Sequence, residues 1–450
     1  MIGYEFELFL QDSQSKRPIN ADQYRLFHGK LAQDGWANSV DPVTHGITGS
    51  KKNGIAIKTD DPIYIMELNM PPKNTIQEAH AQMSDLLAYL KGILNPLGID
   101  MLGIGVFPCP VPDTHEYTTF DSWGRHIIPF RYFLNRLTMH DLASNQFWYE
   151  IPRGRFVEYL NAANQLNGIC ISLLGNSSIQ DGKPSGCIEK RPILWQEFSK
   201  TPWPVHMKVI GMPMPAYTSV HDYISRWLST PVYYAFHDGM PYFVEDLKMT
   251  GEDVMNSESL EIIKVDTSRQ VIKPTLKELW YFQKNVFFEA RGRITFKPGA
   301  KIQDFKSAYD AKDDKKLLEC IDGTFVECRF ISSQNSREFS IGAALLLGLL
   351  ENFEETQALL AKHDYKYWRD LRGQAIESGL DFEADGKHIT SIVGEFMEIA
   401  KKGLERRGFG EEKFLEPAKP LLARKENPGQ RKLRLLKEGG IEKVLEDCRI

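Results

Sequence analysis

The chain has 450 residues, 42% of them hydrophobic and 26% charged, and its 60 acidic and 55 basic side chains leave a formal charge of −5. That balance gives no general attraction to nucleic acid or to an anionic membrane, so neither is expected as a partner. No apolar run approaches the roughly 18 residues of a membrane span.

In chain order, residues 2–10 read as a strand, in which Tyr4, Phe6 and Leu8 alternate with Glu5 and Glu7. A strand has period 2, so the two glutamates share one face, where like charges repel unless something positive lies between them. Residues 54–68 read as two short strands broken at Asp61-Pro62, since proline ends ladder pairing. Ile76, Ala79, Met83, Leu86, Leu87, Leu90 and Leu94 fall at helical spacing and predict a helix over 74–96. "DMLGIGVFP" reads as a buried strand and 154–174 as a helix, followed by the turn "GNSSIQDGKPSG". "STPVYYAF" is a further strand, "TLKELWYFQKNVFF" a helix, "GTFVECRFIS" a strand and "EFSIGAALLLGLLENFEE" a long helix. From about 353 onward the pattern is helical and charged. This mixed order predicts an α+β body with a helical C-terminal part. The opening residues do not read as a signal peptide. The six cysteines lack CxxC spacing and fit a reducing cytoplasm rather than a zinc site or a disulfide framework.

Glu67 ends a strand of Ile, Tyr and Met behind Asp60 and Asp61, and Glu327 sits mid-strand in "TFVECRF". A glutamate on a strand is more often on a solvent face. Taken together, however, Glu5, Glu7, Glu67 and Glu327 form an oxygen-ligand set of the kind that suits Mg²⁺ or Mn²⁺ bridging to phosphates. Arg191, Arg291, Arg293 and Arg329 are candidates for binding phosphate or carboxylate through the planar guanidinium fork. There is no Walker pattern, no HExxH and no nucleophile elbow. His126 and His140 read as surface or packing residues, and the basic run "ARKENPGQRKLRLLKEGG" as solvated helix faces.

These motifs, in this order, resemble the glutamate–cysteine ligase superfamily, in particular its plant and proteobacterial branch. "GYEFELF" resembles the family's GxExE strand, and "DPIYIMELN" resembles EPGxxxELS, placing Asp61 and Glu67 at its acidic positions. "LGIGVFP" resembles LGLGF. "GNSSIQDGKPSGCIEKRPILW" matches ANSPxxEGKxxGxxxxRxxxW at Asn176, Ser177, Gly182, Lys183, Gly186, Arg191 and Trp195. "STPVYYAF" resembles DVPMYF, "FFEAR" resembles FPEVR at Arg291, and "VECRFISSQ" resembles LExRxxxxQ at Glu327, Arg329 and Gln334. The closing stretch "AKKGLERRGFGEEKFLEP…NPGQRKLRLL" is similar to the family's last helices.

The resemblance implies a glutamine synthetase-like fold, in which a curved antiparallel sheet forms a funnel-shaped active site flanked by helices. It implies a catalytic domain over 1–352 and a helical region over 353–450 packed on it. The implied reaction is ATP-dependent ligation of the glutamate γ-carboxylate to the amine of cysteine through a γ-glutamyl phosphate. It implies ATP as co-substrate, Mg²⁺ or Mn²⁺ at Glu5, Glu7, Glu67 and Glu327, and Arg329 and Arg291 as catalytic groups around phosphate. Arg191, Gln146 and Trp148 fall at substrate-binding positions. ATP, glutamate and an amino acid or other amine are the expected partners, in a cytoplasmic monomer or homodimer.

Three departures stand out. "SNQFWYEI" replaces the family's TVQVNLDF, keeping Gln146 but placing Trp148 where a small polar residue is usual. The family's arginine upstream has Asp141 nearest in register. About thirty residues are inserted between "FFEARGR" and "GTFVECR". Metal and phosphate chemistry is thus retained, while the identity of the two amino acids stays open. The alternatives are a related ligase with a different amine and an inactive nucleotide- or metal-binding homologue.

Overall fold

The alternation in "GYEFELFL" folds as β1 (Ile2–Asp12), the strand around which the architecture is built. A computed structural model describes residues 1–41, 45–59, 62–111, 142–199, 210–232, 235–238, 240–246, 248–264 and 268–450. In these, β2 (Ala37–Val40), β3 (Ile47–Lys52), β4 (Ile55–Thr59), β5 (Ile65–Asn69), β6 (Ile99–Leu102), β7 (Ser144–Glu150), β8 (Ala290–Phe296) and β9 (Ile321–Ser332) join β1 in one sheet. Its order is β8-β9-β7-β1-β5-β4-β3-β2, with β6 paired to the far end of β1. Every pairing is antiparallel, as expected.

One face of the sheet is apolar. Phe6 stacks edge-on against Phe147 and Phe339, and Tyr149 Oη donates to the Ala343 carbonyl. Full burial of each such ring contributes about 1.5–3 kcal/mol. The helix behind this face, Ile341–Glu351, is apolar all round because the helix Ile389–Arg407 covers its other side at Gly348 and Ala400. Apolar side chains of the C-terminal helices share one core with those of the sheet. The chain end returns to β6, where Ile450 N donates to the Met101 carbonyl and Gly103 N to the Cys448 carbonyl.

Several boundaries differ from the periodicity. The expected helix over 154–174 is two, Phe156–Gln165 and Asn167–Leu174. The expected helix 338–355 is likewise divided, ending at Glu351 and resuming at Phe353. "TLKELWYFQKNVFF" is helical only over Leu276–Phe282, then passes through a 3₁₀ turn, Gln283–Asn285, into the short strand Phe287–Phe288. "DMLGIGVFP" leaves the ladder after Leu102. There Gly105 passes so close to Ser332 and the Arg191 side chain that a Cβ would overlap both. Only the end of "STPVYYAF", Ala235–His237, is described as strand. It belongs to a separate four-stranded antiparallel sheet with Met240–Phe243, Leu260–Lys264 and Arg269–Ile272. The inserted residues form the end of β8 and the helices Ile302–Asp310 and Asp314–Cys320. No helix among the described residues is long and apolar enough to cross a membrane. All six cysteines are buried and unpaired.

Candidate active site

The other face of the sheet carries the charge. Register places Arg291 opposite Glu327, Glu327 opposite Trp148, and Trp148 opposite Gly3. Glu5 lies between Gln146 and Asn69, and Glu67 between Glu7 and Lys58. Cross-strand partners are close neighbours, so period 2 gathers residues from six strands on one surface. Gly3 is needed there, since a Cβ would press on Trp148 at 3.1 Å. The indole lies against Arg293, whose guanidinium carbon is 5.4 Å from the ring centre.

Glu327 is the anchor of an arginine cluster. Arg291 donates to both its oxygens (Nε 2.9 Å, Nη2 2.6 Å), Arg293 Nε to one (2.8 Å) and Arg329 Nη1 to the other (2.7 Å). Four donors occupy about the full lone-pair capacity of a carboxylate. Burial alone would raise the Glu327 pKa, but Arg291, Arg293 and Arg329 together hold it well below the ordinary value. The partners of Glu327 therefore differ from those expected of a metal ligand: a cation could bind it only by displacing a guanidinium donor. Arg329 Nη1 also donates to Gln146 Oε1 at 2.6 Å. Lysine in its place offers no planar fork. Arg329→Lys is expected to lower turnover by about a hundredfold with little change in melting temperature; an unchanged kcat would make Arg329 a structural residue.

Glu7, Glu67 and Glu5 form the acidic part of the face. Ser144 N and Oγ donate to Glu7 Oε2 (2.6 and 2.8 Å) and Gln146 Nε2 to Oε1 (2.7 Å). Lys58 Nζ (3.0 Å) and Asn69 Nδ2 (2.5 Å) donate to Glu67. Glu5 accepts no hydrogen bond among the described residues, and burial followed by repulsion from Glu67, Glu7 and Glu327 raises its pKa well above the ordinary value. Burial also raises Glu7, against the pull of Arg191 and Arg329. Among the described residues no three His, Cys, Asp or Glu side chains are already gathered as a metal-ligand group. The donor chemistry nonetheless fits an oxygen-liganded divalent cation, because Glu5 accepts no hydrogen bond among the described residues and is repelled by Glu67 and Glu7 more than Arg329 offsets.

Arg191 borders a cleft with Trp195, Phe287, Glu289 and Arg329. Trp195 stacks on Phe287, their centroids 5.4 Å apart. Ser177 Oγ accepts from the Lys190 and Arg191 backbone amides, and Glu189 accepts from Ser332 Oγ and Asn176 N. Asn176 and Ser177 thus fix the start of the Arg191 helix. Arg191 Nη2 donates to the Arg329 carbonyl, while its buried Nε has no partner among the described residues. Gln334 is buried and donates to the Leu174 and Ser332 carbonyls.

His126, His140, Asp60, Asp61 and Asp141 lie outside the described residues. Lys58, Asn69, Ser144 and Glu189 join the site without a sequence signal, because their places follow from cross-strand register or from long-range packing.

Residues 1–277 match the model of glutamate-cysteine ligase family 2. The chain is 22% identical to a chloroplastic glutamate–cysteine ligase of Medicago truncatula over 456 residues, covering 96% of this chain and 78% of the relative. It is 20% identical to chloroplastic glutamate–cysteine ligase A of Oryza sativa subsp. indica, over 96% and 80%. The fold is similar to that of a glutamate–cysteine ligase from Francisella tularensis solved in complex with AMP, with a TM-score of 0.54 and 11% identity over 99% of this chain and 87% of that one.

Proposed function

Since the chain belongs to glutamate-cysteine ligase family 2, we propose that the carboxylate and arginine face of its sheet performs that ligation. In this reaction ATP drives the joining of the glutamate γ-carboxylate to the amine of cysteine, the first step of glutathione-type thiol synthesis. The chain is a ligase, and its relatives of matching length are glutamate–cysteine ligases. The observation that carries the assignment to this face is the juxtaposition of Glu5, Glu7 and Glu67 with the Arg291–Arg293–Arg329 cluster.

A γ-carboxylate oxygen of glutamate attacks the γ-phosphorus of ATP, and ADP leaves with the electron pair of the broken P–O bond. The amine then adds to the acyl carbon, and inorganic phosphate departs with that carboxylate oxygen while the amine loses a proton. Phosphoryl transfer depends chiefly on positioning and charge stabilisation. In this reading Arg329 and Arg291 offset charge on the transferring group, and Glu327 fixes their direction. Arg191, which lines its cleft and whose Nε has no partner among the described residues, binds a substrate carboxylate. Glu5, Glu7 and Glu67 would hold Mg²⁺ or Mn²⁺, with Glu327 joining them on release of an arginine. When bound, the cation would supply neutralisation of phosphate charge. The buried, unpaired cysteines suit a reducing compartment such as the cytoplasm.

A second reading keeps the chemistry and changes the amine. Trp148 favours it, since the indole lies on the site face between Gly3 and Arg293. Hydroxylamine, a small strong nucleophile, intercepts an acyl phosphate whatever the natural amine. ATP, Mg²⁺, glutamate and hydroxylamine are expected to yield γ-glutamyl hydroxamate and ADP, with cysteine competing. Hydroxamate without competition by cysteine would select the second reading. Absence of hydroxamate and ADP across a broad acid panel would remove the reaction assignment.

A further inference from the structure

Lys284 lies in the 3₁₀ turn Gln283–Asn285, where the sequence pattern reads as plain helix. Its carbonyl accepts from Arg291 Nη1, tying this turn to the arginine cluster. Its ammonium sits over the rings of Trp280 and Tyr281, at 5.1 and 5.2 Å from their centres. The ammonium is half-buried and makes no ion pair among the described residues. Arg293, only 6% exposed, spends its Nε on Glu327 and leaves a buried Nη1 without an acceptor among the described residues. Arg291, Arg293 and Lys284 thus bring three positive charges to a region where, among the described residues, Glu327 is the one carboxylate they engage or face. Lys58, also nearby, is already paired with Glu67. Buried cations and buried donors are ordinarily matched. Among the described residues neither group has such a match, and the chemistry that would match both is a negatively charged oxygen acceptor.

We propose that Lys284 and Arg293 Nη1 form an oxyanion-binding site that takes a phosphate of the nucleotide or a carboxylate of the amino-acid substrate, with Lys284 as a binding residue for the reaction. The proposal rests on the ligase reading for the identity of its ligand, though not for the existence of the site. The geometry suits an anion with several oxygens. Trp148 covers one face of the Arg293 guanidinium, and Trp280 and Tyr281 back the lysine. Donors are thereby held in place before the anion arrives, which lowers the cost of ordering them. Burial, followed by the like charges of Arg293 and Arg291, depresses the Lys284 pKa to about 8. A bound anion would reverse that pressure.

The test is lysine acetylation of the full-length protein near pH 8, with the Lys284 peptide followed by mass spectrometry. Inorganic pyrophosphate, ATP and glutamate are added separately. Pyrophosphate or ATP is expected to slow labelling of Lys284 by about tenfold or more, as a charge-assisted contact would, while exposed Lys362 labels at an unchanged rate. Protection by glutamate alone would assign the site to the substrate carboxylate. In parallel, Lys284→Met should raise the KM for the protecting substrate by at least about tenfold, and Lys284→Arg should restore most of it. Equal labelling under all conditions, or wild-type KM values for both substrates in Lys284→Met, would overturn the proposal. Hydroxamate formation by wild-type protein with no protection of Lys284 would leave the ligase reading standing and remove this site. Protection by pyrophosphate with no hydroxamate from any acid would do the reverse.

Discussion

Glu327→Gln is expected to destabilise the folded protein by about 3–5 kcal/mol, the usual cost of removing one partner of a buried ion pair. The wild-type carboxylate is 1% exposed and receives four guanidinium hydrogen bonds. Glutamine keeps the shape but removes the charge, and its amide nitrogen faces donors where an acceptor is needed. Arg291 and Arg293 are each 6% exposed and cannot turn to water without opening the end of the sheet. Chemical denaturation should therefore show a lower midpoint with an unchanged slope. A midpoint equal to that of wild type would mean that the cluster does not depend on Glu327.

Glu5→Gln should behave in the opposite way. Glu5 accepts no hydrogen bond among the described residues, and its charge is opposed by burial and by Glu67, Glu7 and Glu327. The amide relieves that repulsion, so the metal-free variant should melt at a temperature equal to or above that of wild type. The sign follows from linkage: a raised folded pKa means that ionising Glu5 costs stability as pH rises above its ordinary value of 4.5. The advantage of the variant should thus be present at neutral pH and fade as pH falls toward that value. Activity moves against stability, because a neutral amide is a poor ligand for Mg²⁺. Turnover should fall by about a hundredfold or more, and the thermal stabilisation that Mg²⁺ plus ATP gives wild type should be lost. Wild-type turnover together with the full ligand-induced shift would remove Glu5 from the metal-binding set.

These two glutamates show what the sequence carries and what it does not. The period-2 alternation in "GYEFELF" is enough to place Glu5 and Glu7 on one face, and carboxylates set in otherwise apolar strands bring in Glu67 and Glu327, to which the family resemblance gives a metal-binding role. The partners of each are a matter of register. Arg291 stands opposite Glu327 across an antiparallel pair whose connection is the inserted segment, and no local pattern encodes that pairing. The helix Ile76–Leu94 was legible because its apolar stripe is regular and Thr75 and Glu78 close a capping box. The four-stranded sheet containing Ala235–His237 was mostly hidden because its strands are three to five residues long, too short for alternation to rise above background. Lys284 is not legible as a site residue because its neighbours fit a helical pattern while the chain turns out of the helix.

The central claim, that this sheet face transfers phosphate to a carboxylate before the amine attacks, is tested most directly by oxygen tracing. Glutamate labelled with ¹⁸O in its γ-carboxylate is incubated with the protein, ATP, Mg²⁺ and cysteine, and the released phosphate is analysed by mass spectrometry. An acyl phosphate passes one carboxylate oxygen to phosphorus, so each phosphate formed with product should carry one atom of label. Product accompanied by unlabelled phosphate would contradict the account.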